Sequence, residues 1–574
     1  MNDRSSSDQQ VAPGPPLSHA DPSLEALREG VLTAARALVP GADGIEGVLG
    51  MAGSRGGLTL ERPPRPDFGD YSTNAALLLA PRLGAPPREV AERLGGELRA
   101  ALGERLARFE VAGPGFLNLF VGDSWLQEAL AGVIAAGESY GAGAPAVGEH
   151  VLVEFVSANP TGPMHVGHAR NAAYGDALAR MLEFSGERVV REFYVNDAGT
   201  QVRALGASIR AAALGQPPPE GGYQGDYVGE LAARLPDAAT ADPGELGRAA
   251  VALIVEQIRA SLGAFGVSEF DHWTYESALH AGEHSPVERT LARLEELGHT
   301  YRHDGALWLR TTEFGDDKDR VLLRSTGEHT YFASDIAYHE DRRERGFERQ
   351  INVWGADHHG YVLRMKAAYR ALGGDPDELE LLIMQLVHLV RSGERAQMSK
   401  RAGEFVTLDD LVAEIGVDAA RWYLLARSHD TTVDLDLDLA RSESSENPVY
   451  YVQYAHARIS SVLAKAGAER VSRALAQPSD APQPALHPSE RALVKLLLEL
   501  PVELAAATER RAPHRVAAYA LELAQGFTAF YRDCRVLGAE PDALESRRVA
   551  LCVASRRAIA RCLHLLGVDA PQEM

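Results

Sequence analysis

The chain has 574 residues, enough for about three domains, and its 45% hydrophobic content is ordinary for a globular protein. A formal net charge of −22, from 58 Lys and Arg against 80 Asp and Glu, argues against a nucleic-acid-binding protein on composition alone, although such binding requires only a local basic face. Three cysteines with no CxxC pair exclude a disulfide framework and a cysteine-rich zinc site. No signal peptide or membrane-spanning apolar run is visible, so we expect a cytoplasmic protein without a membrane partner.

The N-terminal region predicts a polar tail followed by a small α/β domain. Residues 1–20 are rich in Ser and Pro and predict a disordered tail. Residues 21–140 contain three helical patterns and a predicted strand over 111–121 that is entered through a Gly-Pro-Gly bend. Two roles are open for this domain, docking or stabilisation on one side and substrate binding on the other.

Residues 141–443 alternate strand and helix patterns, which predicts a doubly wound, Rossmann-like parallel sheet. The apolar run 151–156 suits an interior strand, a Pro/Gly-rich turn ends it, and a helix is predicted to begin near His168. Polar clusters follow other predicted strands, at 196–197 and 357–359. Because the carboxyl ends of parallel strands meet at one edge of a sheet, we expect these clusters to line one cleft. The strictly alternating stretch 434–440 predicts a half-exposed strand.

The turn between the first of these strands and its helix has the features of a phosphate site. A helix start offers unpaired N–H groups and a partial positive charge. His165 and His168 add side-chain donors, and Gly167 between them allows a flat ring or a backbone to come close. Glu154 lies inside the apolar strand, where a carboxylate requires a partner or a ligand.

The His-x-x-His spacing has two interpretations. The pair could form half of a metal site completed by His358 and His359, or both rings could donate to phosphate oxygens that gain charge in a transition state. The polar stretch QMSKRAG (397–403) favours phosphate, because a Lys in such a loop can balance the charge of a departing pyrophosphate. Taken alone, an exposed basic loop is the simpler explanation of that stretch.

Residues 444–574 are helical almost throughout and predict an α-helical bundle. Tyr450, Tyr451 and Tyr454 are predicted to crowd one side of its first helix. The arginines of the last helix form either a solvated face or, with the aromatics, a surface for unpaired bases and phosphates. These arginines are Arg547, Arg548, Arg556, Arg557 and Arg561.

Two of these elements together resemble the paired signatures of class I aminoacyl-tRNA synthetases. HVGH (165–168) matches the His-x-Gly-His signature, and MSKR (398–401) matches the Lys-Met-Ser-Lys-Ser signature, except that Gln397 replaces its first Lys. Beyond the class, the chain looks closely like an arginyl-tRNA synthetase over nearly all of its length after residue 20. The segments that carry this resemblance are ANPTGPMHVGHARNAAYGDALARMLEFSG, EFYVNDAGTQ, FGDYSTNAALLLA, AGPGFLNLF, YQGDYV, YFASDIAYH, WGADHHGY, ENPVYYVQYAHAR, FYRDCRVL and GVDAPQEM.

The resemblance implies that L-arginine is activated by ATP, with release of pyrophosphate, and is then transferred to the 2′-hydroxyl of the terminal adenosine of tRNA. Neither step requires an enzyme nucleophile, so positioning and charge stabilisation carry the catalysis. The implied catalytic residues are His165, His168 and Lys400. The implied ATP-binding residues are Pro163, Met164, His165, Gly167, His168, Met398, Ser399 and Lys400. Mg²⁺ is expected to accompany ATP, with no tightly bound protein metal.

The resemblance also implies how arginine and tRNA are bound. A guanidinium group requires planar acceptors, and Tyr331 and Asp335 are expected to supply them, with His358 nearby. Asn159 and Glu154 are expected to face the α-amino end. The N-terminal domain is assigned to the tRNA D-loop and the bundle to the anticodon. The implied tRNA-binding residues are Phe116, Asn118, Tyr450 and Tyr454, and a monomer is expected.

Three alternatives are weaker. A related class I enzyme would not need this long first motif, and relatives that lack tRNA would not need the bundle. A non-catalytic RNA-binding paralogue would not need His165, His168 and Lys400 intact. A metal hydrolase would require bound transition metal.

Overall fold

The computed structural model describes residues 22–39, 57–63, 65–143, 148–395, 406–476 and 484–574. Within these ranges the chain forms an N-terminal α/β module, a central domain around a parallel sheet, and a C-terminal helical bundle, which confirms the predicted fold class. No helix in the described ranges is both long and apolar enough to cross a bilayer. The predicted tail, 1–20, lies outside the described residues.

In the described part of the N-terminal module, four helices pack against a four-stranded antiparallel sheet. The helices are α1 (Pro22–Leu38), α2 (Ala75–Leu83), α3 (Pro87–Leu102) and α4 (Asp123–Ala136). The strands are β1 (Leu60–Glu61), β2 (Tyr71–Thr73), β3 (Leu106–Ala112) and β4 (Phe116–Val121), in the order β1-β2-β4-β3. The single strand predicted over 111–121 is therefore the end of β3, a hairpin turn and all of β4. Gly113 and Gly115 both have positive φ, which the turn requires.

The central domain is built on five parallel strands, and its first half precedes a helical insertion. The strands are β5 (His150–Glu154), β6 (Arg188–Val195), β7 (His272–Tyr275), β11 (Arg349–Gly355) and β12 (Leu379–Met384), in the order β12-β11-β5-β6-β7. Helix α5 (Val166–Phe184) joins β5 to β6. The insertion between β6 and β7 consists of α6 (Gly199–Ala213), α7 (Asp226–Arg234) and α8 (Pro243–Ala264).

A second small sheet and further helices lie between β7 and β12. The helices are α9 (Glu276–Leu279), α10 (Pro286–Glu296), α11 (Tyr331–Glu344) and α12 (Val362–Ala371), with a 3-10 turn at Ala356–Tyr361. The antiparallel strands are β8 (Thr300–His303), β9 (Ala306–Leu309) and β10 (Arg320–Leu323). These elements share their own apolar core, separate from the large one that runs through the rest of the protein.

The chain leaves the main sheet after β12. The next strands, β13 (Val387–Arg391), β14 (Glu394–Arg395) and β15 (Val433–Asp436), form a third small sheet. Helices α13 (Leu408–Ile415), α14 (Val417–Leu425) and α15 (Leu437–Arg441) surround it. The strand predicted over 434–440 is wrong in its second half. The Asp436 carboxylate accepts hydrogen bonds from the backbone N–H of Asp438 and Leu439, both at 3.0 Å, and so begins a helix.

The C-terminal bundle contains four long helices, α16 (Pro448–Leu475), α17 (Pro488–Glu509), α18 (Pro513–Asp533) and α19 (Asp542–Leu566). The first of them is interrupted at Gly467, which has φ 79°. Helix α4 of the N-terminal module packs on α17 and α19. The Tyr140 hydroxyl donates to the Leu497 carbonyl at 3.2 Å, and Arg491 pairs with Asp123. The module and the bundle therefore share one buried interface.

Candidate active site

The connector from β5 to α5 begins with two strained residues. Val156 and Ser157 have φ values of 68° and 38°, in the left-handed region that β-branched residues rarely occupy. The Asn171 side chain compensates, because its Oδ1 accepts from the Val156 N–H at 2.6 Å and its Nδ2 donates to the Val353 carbonyl at 2.8 Å. A helix residue thus fixes the point where the chain leaves the sheet at its carboxyl edge.

His165 and His168 lie face to face at the start of α5. Their ring centroids are 3.8 Å apart with an interplanar angle of 23°. The Nδ1 of His165 accepts from the Gly167 N–H at 3.1 Å, and the Nδ1 of His168 accepts from the His165 N–H at 3.3 Å. Since each Nδ1 accepts, this hydrogen bonding assigns the proton of each neutral ring to Nε2. Two imidazole N–H donors therefore accompany the positive end of the helix dipole.

Gly167 has an internal reason to be glycine. A Cβ there would lie 2.9 Å from Cε1 and 3.0 Å from Nδ1 of the His165 ring. Its missing side chain therefore makes room first for His165, whereas we expected it to make room for a ligand. Met164 is buried, and its carbonyl accepts from the Leu408 N–H at 2.9 Å, so its predicted contact with ATP is limited to its backbone.

The chain that follows the second signature returns to this turn. The Val166 N–H donates to the Val406 carbonyl at 3.3 Å, and His165 forms an antiparallel bridge with Thr407. Lys400 precedes Val406 by six residues. Gln397, Met398, Ser399 and Lys400 themselves lie outside the described residues.

Two carboxyl groups lie close together beyond the ends of β6 and β7. Asp335 is the fifth residue of α11, and the Tyr361 hydroxyl donates to its Oδ2 at 2.5 Å. Burial raises the pKa of Asp335 to about 7, against the effect of this hydrogen bond and with the support of the charges on Glu276 and Glu154. Burial and the charge of Asp197 likewise raise the pKa of Glu276, which is buried at the start of α9. Neither Asp335 nor Glu276 forms an ion pair within the described part of the chain, so a cation is the ligand that this place favours.

Glu154 is 5% exposed and already has protein partners. Its Oε1 accepts from the Ser157 hydroxyl at 2.6 Å, and its Oε2 accepts from Arg342 at 3.0 Å and from Asn352. Arg342 is fully buried and also donates to Glu192 at 2.9 Å. Burial alone would raise the pKa of Glu192, but Arg342 and Arg345 outweigh it and hold that pKa at about 2. The partner that a carboxylate in β5 requires is therefore Arg342, from within the protein.

The remaining predicted arginine ligands are on α11, on the connector and on the 3-10 turn after β11. Tyr331 is 57% exposed, and a Cβ built at Gly199 would lie 3.5 Å from its hydroxyl, so the start of α6 adjoins this side chain. Asn159 is exposed on the connector. His358 is exposed on the 3-10 turn, with its ring 5.7 Å from Trp354 and 6.5 Å from Tyr361. Because β5, β6, β7, β11 and β12 are parallel, the polar residues that follow these strands start from the same edge of the sheet.

The metal interpretation of the histidines receives no support. His165 and His168 use their Nδ1 atoms within the helix start, and no group of three His, Cys, Asp or Glu side chains in the described ranges could hold a metal ion. The sequence analysis missed Glu276, Arg342, Asn171 and Tyr361. Glu276 could have been found from the sequence, because it directly follows β7, just as the other polar clusters directly follow their strands. Arg342, Asn171 and Tyr361 are recognised only from their hydrogen-bond partners in the structure.

The outer face of the N-terminal sheet carries the first two predicted tRNA contacts. Phe116 is 38% exposed at the hairpin turn. Asn118 is only 5% exposed, and its Oδ1 accepts from the Ser72 hydroxyl at 2.9 Å. Phe120 follows on the same face, with the Arg108 guanidinium 3.4 Å from its ring centroid. Phe116 is therefore the accessible member of this face.

A groove of about 1160 Å³ crosses the bundle between α16, α18 and the C-terminal residues. Tyr454 is 40% exposed there, stacks on Tyr450 with centroids 6.1 Å apart, and has the Arg458 guanidinium 4.7 Å from its centroid. Tyr531 lines the same groove. Tyr451 does not join them, because its hydroxyl donates to Thr528 on α18 at 3.1 Å. The prediction that all three tyrosines crowd one side is therefore wrong for Tyr451.

Four of the five arginines of α19 pair with carboxylates on other elements. Arg547 and Arg548 both pair with the buried Glu490, at 3.2 and 2.8 Å. Arg557 and Arg561 pair with Glu138 of the N-terminal module. Arg547 and Arg548 therefore connect α19 to α17 within the bundle, whereas Arg557 and Arg561 connect the bundle to the module. No such contact is described for Arg556.

Three family models match the chain. They are the arginyl tRNA synthetase N terminal domain over residues 43–121, the catalytic domain of class I (R) tRNA synthetases over 132–215 and 276–459, and the DALR anticodon binding domain over 452–574. The parallel sheet and its histidine turn therefore define a catalytic domain of the class I tRNA synthetases.

Comparison with individual relatives identifies the family within this class. The arginine–tRNA ligase of Nitratidesulfovibrio vulgaris is 44% identical over 532 residues, which are 90% of this chain and 95% of that protein. The solved arginyl-tRNA synthetase of Thermus thermophilus is 25% identical, with a TM-score of 0.73 over 96% of this chain and 100% of that one. The solved arginyl-tRNA synthetase of Plasmodium falciparum, 16% identical with a TM-score of 0.68 over 96% and 99%, shows the fold alone. The chain belongs to the arginyl-tRNA synthetase family, which confirms the resemblance seen in its sequence.

Proposed function

We propose that this protein is an arginine–tRNA ligase. It activates L-arginine with ATP to arginyl-adenylate, with release of pyrophosphate, and transfers arginine to the 2′-hydroxyl of the terminal adenosine of tRNA(Arg). The single observation that carries the choice of arginine is the pair of buried carboxyls, Asp335 and Glu276, without an ion-pair partner in the described part of the chain. They lie at the same edge of the sheet as the two histidines of the helix start.

The nucleotide is held at the start of α5. The Nε2–H donors of His165 and His168 and the positive end of the helix dipole bind the triphosphate, where negative charge increases as pyrophosphate leaves. Gly167 and the backbone of Pro163 and Met164 border the adenosine. Lys400, with Met398 and Ser399, completes the site from the segment that ends at Val406. Mg²⁺ enters with ATP as part of the substrate rather than as a resident metal.

Arginine lies between the connector and α11. Asp335 and Glu276 pair with the guanidinium group, and the Tyr331 hydroxyl oxygen accepts a hydrogen bond from it, with His358 nearby. Asn159 faces the α-amino group. Glu154 acts there through its negative charge and through Ser157, since Arg342 and Asn352 hold its other oxygen. Holding the arginine carboxylate next to the α-phosphate accounts for the chemistry, because no covalent enzyme intermediate is needed.

The tRNA is bound at two faces. Phe116 stacks on a D-loop base while Asn118 lies beside it, and the Tyr450–Tyr454 stack with Arg458 receives anticodon bases in the bundle groove. Aromatic side chains backed by a cation provide base stacking despite the overall charge of −22. We further propose that the protein is a cytoplasmic monomer, which light scattering of the purified protein would test.

Substrate requirements of two carboxyl variants test the arginine site. Asp335→Asn and Glu276→Gln should each raise the KM for arginine by roughly 10- to 100-fold, the value of one charged hydrogen bond, and leave the KM for ATP within about twofold. Asp341→Asn is the matched control on the same helix, since Asp341 pairs with Arg345 at 3.0 Å, on a half-exposed surface. Equal increases in both Michaelis constants would contradict the assignment.

A further inference from the structure

The connector from β5 to α5 is fastened at both of its ends. Asn171 holds Val156 at the strand end, and the backbone of Val406 and Leu408 holds Val166 and Met164 at the helix end. Between these points lie residues 157–163, which include the exposed Asn159 and the turn closed by the hydrogen bond from the Thr161 N–H to the Asn159 carbonyl, 2.8 Å. This middle part lies between the amino acid and the nucleotide, so its position sets the distance between the two reactants.

Tyr227, on the first turn of α7, contacts this middle part from outside. Its hydroxyl donates to the Thr161 carbonyl at 3.0 Å. Its ring covers the next residue, because a Cβ built at Gly162 would lie 3.2 Å from both Cζ and the hydroxyl oxygen of Tyr227. Burial, with a smaller contribution from Tyr223, raises the pKa of Tyr227 to about 12, so its hydroxyl remains a donor at every pH at which the enzyme works.

The helical insertion that carries Tyr227 is tightly packed. Helices α6 and α8 cross so closely that a Cβ at Gly206 would lie 1.7 Å from the Pro243 carbonyl oxygen, and one at Gly247 would lie 2.1 Å from that of Val202. Val228 and Leu231 of α7 are buried, and α7 packs on α6. The insertion therefore cannot follow a shift of the connector without breaking its own packing.

We propose that Tyr227 is a positioning residue for adenylate formation. Its hydroxyl and ring hold Thr161 and Gly162 in place, so that Asn159 keeps arginine in line with the phosphate bound at His165 and His168. Tyr227 touches neither substrate and acts through the connector. The proposal rests on the proposed function and adds to it a residue of the insertion, which lies in the segment YQGDYV (223–228) and outside the HVGH and MSKR signatures.

Tyr227→Phe tests the hydroxyl while the ring is kept. In arginine-dependent ATP–pyrophosphate exchange with tRNA present, kcat should fall roughly 2- to 12-fold, the value of one hydrogen bond, with KM for arginine and ATP within about twofold and an unchanged melting temperature. Tyr423→Phe is the control, because Tyr423 is a half-buried tyrosine whose hydroxyl donates to Asn447 at 3.2 Å, and burial raises its pKa to about 12 as well. A fall in kcat of the same size in Tyr423→Phe, or a kcat unchanged in Tyr227→Phe, would overturn the proposal.

Gly162→Ala tests the contact from the other side. Its new Cβ should push on Tyr227 and lower kcat, and the loss should be non-additive with that of Tyr227→Ala, since one contact is disturbed in both. Strictly additive losses of kcat in the double variant would contradict the proposal that Gly162 and Tyr227 act through one contact. Amide hydrogen exchange provides a readout that needs no activity: Tyr227→Phe should speed exchange in 157–163 and leave 170–184 unchanged. If the unsubstituted protein failed to use arginine, the proposed function would fall, while the exchange rates would still decide the role of Tyr227.

Discussion

The Tyr361 hydroxyl donates a 2.5 Å hydrogen bond to the carboxylate of Asp335, joining the turn after β11 to the N-terminal part of α11. This bond favours the ionised carboxylate, whereas burial and the neighbouring Glu276 and Glu154 favour the protonated one and prevail, since the pKa is raised to about 7. A guanidinium group binds only the ionised form well. Arginine binding should therefore be linked to release of a proton from Asp335.

The pH dependence of the KM for arginine follows from this linkage. Because the pKa is raised, Asp335 is mostly ionised above pH 7 and mostly protonated below it. KM for arginine should be flat above pH 7 and rise toward about tenfold per pH unit below it, with the KM for ATP nearly unchanged. Asp335→Asn should remove the rise, because asparagine does not titrate. Steady-state kinetics between pH 5.5 and 8.5 measure the KM for arginine of both proteins. A KM that is flat across this range in the unsubstituted protein would contradict the assigned linkage.

Gly167→Ala should impair ATP use without unfolding the protein. Gly167 has an ordinary helical backbone, so alanine costs nothing in φ, but its Cβ would displace the His165 ring that lies 2.9 Å away. We expect kcat to fall by roughly 100- to 1000-fold, in the range of one lost transition-state donor, with the melting temperature within about two degrees. Gly132→Ala in α4 is the control, because nothing lies within 4 Å of a Cβ there. Full activity in Gly167→Ala would contradict the role of His165.

Arg342→Leu should destabilise the catalytic domain strongly. It leaves Glu154 buried without its cationic partner and Glu192 with Arg345 alone, which costs about 3–5 kcal/mol. Arg105→Leu removes an exposed partner of Glu128 and should cost less than about 1 kcal/mol. Urea unfolding followed by circular dichroism compares the two. Equal stability of the two variants would mean that Arg342 is not the required partner of the buried carboxylates.

Phe116→Ala tests the role of the N-terminal module in tRNA binding more directly than removal of the whole module does. Deleting residues 1–140 would expose the faces of α17 and α19 on which α4 packs, so a loss of charging could reflect a damaged bundle. Phe116→Ala keeps that interface and should raise the KM for tRNA roughly 5- to 150-fold, the value of one stacked base. Val502→Ala, at a residue 40% exposed on α17, is the control. An unchanged KM for tRNA would remove Phe116 from the tRNA interface.

Much of the fold was predictable from local patterns. The apolar run of β5, the Pro/Gly turn and the helix start at His165 each leave a signal within a few neighbouring residues, and parallel strands then place their polar ends together. Asp436 shows the limit of such signals. Strict alternation favours a strand, but an aspartate in that position can also cap a helix, and only the surrounding packing decides.

The parts of the site that were missed depend on contacts between distant residues. Arg342 and Glu154 are 188 positions apart in the sequence, and no pattern near either residue indicates that the two form an ion pair. The arginines of α19 are a second example of pairing between distant residues, because their partners Glu490 and Glu138 belong to other elements. The chain also changes sheets between β12 and β13 at Gln385, whose carbonyl accepts from the buried Arg170 at 2.8 Å. An apolar run does not reveal which sheet its strands join.

Charging of total tRNA with each of the twenty amino acids in turn tests the central claim most directly. Purified protein with ATP and Mg²⁺ should attach arginine to tRNA, and none of the other nineteen amino acids at a comparable rate. The His165→Ala variant should lose that activity, because it removes a donor to the triphosphate. Charging with a different amino acid, or none with arginine, would contradict the assignment of this protein as an arginine–tRNA ligase.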